Sequence, residues 1–118
     1  MIPELKLRQA PVQCRLLPPE FREREKTLIS DFAKVVKEVR PLDDGYIVLL
    51  QPDGDSVRLA AALIEAEAAC CPFLQFCLIV TQETRDVIVE LRGPPGSKEM
   101  LAEIFGWEVT ASDAKPCC

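Results

Sequence analysis

The sequence predicts an α+β domain: a four-stranded, mainly antiparallel sheet with helices packed on one face. Three observations predict it. Apolar residues recur at helical spacing in separate stretches. β-rich runs occur in two pairs, each pair joined by a cluster of turn residues. The order along the chain is helix, hairpin, helix, hairpin, helix, and hairpins make antiparallel pairs. The chain has 118 residues, 48% of them apolar and 28% charged, enough to bury one core without staples.

The elements follow in order. Residues 1–19 read as an extended N-terminal arm, because Pro3, Pro11, Pro18 and Pro19 deny it a helix. Glu20 to Val36 reads as a helix. Phe21, Leu28, Phe32 and Val35 or Val36 supply its apolar stripe, and Arg22 to Lys26, Glu25 included, supply a solvated first turn. Val36 to Arg40, the turn cluster Pro41 to Gly45, and Tyr46 to Leu50 form the first hairpin. Asp55 or Ser56 is placed to cap a second helix running to Ala69, with Leu59, Ala62, Leu63 and Ala66 inward. Pro72 ends that helix, since the residue before a proline is pushed out of the α region. Phe73 to Val80 and Val87 to Arg92 form the second hairpin. Gly93-Pro94-Pro95-Gly96 breaks the pattern, and Ser97 caps a last helix to Phe105. A single domain over 20–107 is therefore expected, followed by a mobile polar tail over 108–118.

Charge and hydropathy exclude two broad classes. With 19 acids against 14 bases the net charge is −5, which repels a phosphate backbone. No stretch approaches about 20 consecutive apolar residues, so no membrane-spanning helix is expected. Met1 to Ala10 lacks the apolar run of a secretion signal, and the expected compartment is the cytoplasm.

The distinctive feature is six cysteines and no histidine. Cys70-Cys71 and Cys117-Cys118 are adjacent pairs, and Cys14 and Cys77 stand apart. In a reducing compartment these are thiols by default. Adjacent Cα atoms lie about 3.8 Å apart, whereas disulfides want roughly 4.4–6.8 Å, so adjacency argues for thiols presented together.

A vicinal pair puts two sulfurs within reach of one soft ion: Hg(II), or less readily Cu(I), As(III) or Zn(II). Two thiolates suffice for Hg(II), whereas structural zinc wants four ligands, and no C-x-x-C spacing or histidine is present. Cys70 and Cys71 are the expected holding site. Cys77 is an optional third ligand, provided that Cys71 starts the strand and shares its parity. The competing reading is that these cysteines pack as small hydrophobes. Cys117-Cys118, at the end of a polar tail, has no core role open to it and reads as an exposed accident or an acquiring arm. About ten residues of tail reach roughly 30 Å. Glu65 or Glu67 is a candidate catalytic acid beside Cys70, as cleavage of an organomercurial would require thiolates plus a proton donor.

Two resemblances bear on these residues. Cys117-Cys118 resembles the C-terminal cysteine pair of mercuric reductases, which collects Hg(II). Only those two residues match, and no Gly-rich dinucleotide fingerprint accompanies them, so reductase activity does not carry over. The run Glu67-Ala68-Ala69-Cys70-Cys71-Pro72-Phe73-Leu74, followed by Leu91 to Glu99, resembles small bacterial proteins associated with heavy-metal resistance loci, over roughly Gly45 to Phe105. That resemblance implies a setting, not an activity.

The expected function is soft-metal binding and transfer, Hg(II) first, by a protein more expected to bind than to turn over. No resident cofactor is expected. The expected partner is a metal ion or metal-thiol complex, with no nucleic acid or membrane, and with a homo-oligomer or a metal-handling protein open. The alternatives are a thiol-redox or organomercurial-cleaving enzyme, and an interaction module with structural cysteines.

Overall fold

The computed structural model describes residues 19–52 and 54–107. The N-terminal arm up to residue 18, the tail from 108, and with them Cys14, Cys117 and Cys118, lie outside the described residues. The elements are α1 (Pro19–Val35), β1 (Val36–Leu42), β2 (Gly45–Leu50), α2 (Ser56–Cys70), β3 (Gln75–Thr81), β4 (Asp86–Arg92) and α3 (Ser97–Phe105). The class is α+β, and the strands of the described residues form a four-stranded sheet in the order β1-β2-β4-β3. Every neighbouring pair is antiparallel.

Alternation in the two central strands creates the core. Tyr46, Val48 and Leu50 of β2 are buried, as are Val87, Val89 and Leu91 of β4. The register pairs them as Tyr46 with Leu91, Val48 with Val89 and Leu50 with Val87, so they share one face. Helix α2 lies against β3 and β4, α3 against β2, and α1 packs mainly on α2. Gly45 is required by the seam between β2 and β4: a Cβ there would strike the Leu91 carbonyl. Arg92 ties the same end, donating to Asp44 Oδ1 at 2.8 Å.

An aromatic chain closes the far side. Phe32 meets Phe105 at 5.9 Å between ring centroids, Phe105 stacks on Trp107 at 4.7 Å, and Trp107 meets Tyr46 at 4.8 Å. Gly106, at φ +73°, terminates α3 in a left-handed conformation, and the Trp107 N–H donates back to the Ala102 carbonyl.

Several expectations are corrected. Ser97 is the first residue of α3, not its cap; Gly96, at φ +98°, occupies that position and offers no side-chain oxygen. Asp55 makes no capping bond, and the Ser56 hydroxyl instead donates to the Gln51 carbonyl at 2.6 Å. Of the expected inward residues of α2, Leu63 and Ala66 are buried and Leu59 and Ala62 only half-buried; the other buried positions are Ser56, Ala60, Glu67 and Cys70. β3 starts at Gln75, not Phe73, because the Leu74 N–H donates to the Cys71 carbonyl and closes a turn around Pro72. Glu25 is buried rather than solvated.

Candidate functional site

The stripe of α2 runs Ser56, Ala60, Leu63, Glu67, Cys70, at alternating spacings of four and three. That spacing lays all five on one face of a helix. The stripe of α1 has the same spacing: Phe21, Glu25, Leu28, Phe32, Val35. Each stripe contains one carboxyl, and the packing of α1 on α2 brings the two together. Glu25 is 1% exposed and Glu67 is 0% exposed. Their side chains lie within hydrogen-bonding reach of each other. Glu25 Oε2 and Glu67 Oε1 are buried without a hydrogen-bond partner.

Cys71 follows one turn after Glu67. Its N–H donates to the Glu67 carbonyl at 2.6 Å, the last helical bond of α2. This i, i+4 relation sets its sulfur over the Glu67 side chain, and the thiol donates to Glu67 Oε2 at 3.7 Å. Cys71 is itself 0% exposed, in the core with Phe73 and Leu74.

Burial and like charge dominate the electrostatics. Glu67 is pushed up to about 8 by desolvation first, then by the charge of Glu25 and their shared hydrogen bond, with the Cys71 thiol opposing. Glu25 is also raised, by desolvation against the lowering influence of Glu67 and Arg22. The Cys71 thiol lies far above its ordinary range, through desolvation and then the charges of Glu67 and Glu25. Two carboxyls this close cannot both ionise cheaply, so the pair holds a proton near neutral pH. The arrangement is a thiol beside a proton-holding carboxyl pair, able to give up or accept a proton near pH 8.

The remaining predicted site residues scatter. Cys70 is buried and disulfide-bonded. The expectation of a thiol at position 70 is not met. The geometric objection concerned a bridge within the adjacent pair, and Cys71, whose thiol donates to Glu67, is not the partner. Cys77 is exposed on β3, opposite Glu90, in the half of the strand that faces away from the buried residues. The parity argument linking it to Cys71 fails because a turn separates Cys71 from the strand. Among the described residues, no group of three or more His, Cys, Asp and Glu is arranged to hold a metal ion. Glu65 is exposed, on the rim of a cleft between α1 and α2. That cleft, of about 140 Å³, is walled by Phe21, Leu28, Ala62, Ala66 and Ala69, and Glu25 forms part of its lining.

Sequence reasoning found Glu67 and Cys71 but missed Glu25. The signal was present: a carboxyl at the one position of the α1 stripe where an apolar residue was due.

No helix of the described residues is long and apolar enough to cross a membrane. No protein-family model, curated protein or solved structure matches this chain.

Proposed function

We propose that this protein captures a soft metal ion, Hg(II) first, at Cys71, with Glu67 relaying protons: it gives its own to the departing thiolate and takes up that of the Cys71 thiol. The observation that carries the reading is the hydrogen bond from the Cys71 thiol to Glu67 Oε2 at 3.7 Å. A soft metal arrives as a bis-thiolate complex, and ligand exchange is its route of transfer. Two equivalents of a small thiol first reduce the Cys70 disulfide and leave as their own disulfide; Cys70 and Cys71 then each replace one incoming thiolate. Two S–Hg bonds break, two form, and two protons leave with the departing thiols. A thiol whose pKa is pushed up needs an acceptor for its proton, and Glu67, once it has protonated the departing thiolate, is the carboxylate it touches. Cys71 is fully buried, so exchange passes through an opening of the α2–β3 turn at the exposed Pro72.

In this reading Cys117 and Cys118 collect the metal, Cys77 is a separate surface thiol, and the setting is cytoplasmic metal resistance. A metal-handling protein or a second copy of the chain is the partner. The metal is cargo rather than a resident cofactor.

The test is titration of the reduced protein with Hg(II) against a competing small thiol. Comparison variants are Cys71→Ser, the Cys70→Ser/Cys71→Ser double, and Cys117→Ser/Cys118→Ser. Tight one-to-one binding that collapses without the internal pair, and only slows without the terminal pair, is expected. Binding no tighter than the competitor in every variant would sink the reading and leave an interaction module with structural cysteines.

A second reading is cleavage of organomercurials, favoured by the carboxyl being within reach of the sulfur. Glu67 would protonate the carbon of R–Hg–S, releasing R–H and leaving Hg(II) on sulfur. Release of benzene from phenylmercury over many turnovers, lost in Glu67→Gln, separates it from stoichiometric capture.

A further inference from the structure

We propose that the cleft between α1 and α2 binds a compact organic ammonium ion, its charged head on Glu25 and its apolar body against the surrounding wall. Three observations carry this. The cleft holds about 140 Å³, close to the roughly 150 Å³ that accommodates one benzene ring. Phe21 and Leu28 line it from α1, and Ala62, Ala66 and Ala69 from α2, so the wall is apolar on both sides. Glu25 belongs to the lining, is 1% exposed, and carries an oxygen, Oε2, that is buried without a hydrogen-bond partner.

A buried acceptor left unsatisfied is costly, and a ligand supplying an N–H at that point recovers the loss. The charge of the site favours a cation over a neutral donor. None of the ion pairs among the described residues involves Glu25 or Glu67. Glu65 adds a second carboxylate at the rim. Arg24 also sits at the rim, and Arg22, two positions before it, lowers the Glu25 pKa by its charge and so favours the ionised carboxyl; both are exposed, where solvent screens them.

Size and lining exclude other occupants. A hard metal cation wants six or more oxygens, and this wall is mostly hydrocarbon. A peptide segment needs far more volume. A primary amine on a body the size of a benzyl group fits both the space and the single buried acceptor. The site is distinct from Cys71, which does not line the cleft, so its occupancy stands or falls apart from metal capture.

The experiment is a backbone-amide NMR titration of the full chain with benzylamine at pH 7, with benzyl alcohol as the neutral control. Glu25→Gln removes the charge while keeping the shape, and Ala62→Leu fills the wall while leaving the carboxyl. Saturable shifts confined to α1 and α2 are expected with a Kd on the order of 1 mM or below. Benzyl alcohol should bind at least about tenfold more weakly, and each variant should raise the Kd for benzylamine by a similar factor. Absence of saturable shifts at concentrations on the order of 10 mM would overturn the proposal. Equal binding of amine and alcohol, or a Glu25→Gln variant that binds as wild type does, would overturn it as well.

Discussion

The thiol of Cys71 donates to a carboxyl, that of Glu67, which is itself 0% exposed and raised to about 8. Folding thus places an acid where its ionised form is disfavoured. The folded state holds the Glu67 proton up to about pH 8, whereas the unfolded chain loses it near 4.5. Between those values the native state binds more protons, so this contribution to stability is full below pH 4.5 and is lost as pH rises towards 8. At about 1.4 kcal/mol per unit the swing is at most about 5 kcal/mol. Thermal melts from pH 5 to 9 should show a falling Tm in wild type and a flatter profile in Glu67→Gln, whose amide has no charge to desolvate.

The cysteines should divide sharply in reactivity. Cys77 is exposed on β3, whereas Cys71 is wholly buried and its thiol is held protonated. In the native protein, iodoacetamide should modify Cys77 faster than Cys71 by roughly 100-fold or more, a ratio that collapses in denaturant. Peptide mass spectrometry of timed samples reads this directly, and equal rates would contradict the burial of Cys71.

Gly45→Ala should destabilise the protein although it adds a single methyl. That methyl meets the backbone carbonyl of Leu91, which cannot rotate away. The expected loss is about 1–3 kcal/mol, the range for overpacking, seen as a lower midpoint in urea at an unchanged slope.

At Gly106 the objection is conformational. The residue sits at φ +73° with nothing near its missing Cβ. Gly106→Ala should cost about 1–2 kcal/mol through backbone strain alone. Gly106→Asn, which tolerates that region better, should recover part of it, and the comparison in chemical denaturation isolates the term.

The class of the fold was legible because hairpins and helix stripes leave local marks. Tyr46 to Leu50 and Val87 to Arg92 alternate or run apolar between turn residues, and each is a strand. The sheet order was not legible, since nothing local says that β2 pairs with β4 rather than with β3. Helix caps were misjudged because Gly96, in a left-handed conformation, takes the cap position before Ser97, and because the Ser56 hydroxyl donates to the Gln51 carbonyl. The most consequential miss was Glu25. A carboxyl among Arg22, Glu23, Arg24 and Lys26 looks like one more solvated charge. Its burial depends on a partner stripe more than thirty residues away, and only the two stripes together expose the matching gap. Cys71 and Glu67 are both legible as site residues, but the sequence sets the carboxyl beside Cys70. That the Cys71 thiol is the one to reach it is not legible, because the helix runs a residue further than expected. Burial of the pair stood as the competing reading; the bridging of Cys70 was not legible.

The sheet order divides the molecule into two chain-continuous halves. One is α1 with the hairpin of β1 and β2; the other is α2, the hairpin of β3 and β4, and α3. Each hairpin closes over a short turn, whereas the β2–β4 ladder spans everything between them and carries most of the loop-closure cost. Docking the halves is also what presses Glu25, on the first, against Glu67, on the second. Assembly therefore has a titratable gate. The step that zips the centre of the sheet must also unite two acids, so raising pH should slow the folding limb of a chevron plot more than it speeds the unfolding one.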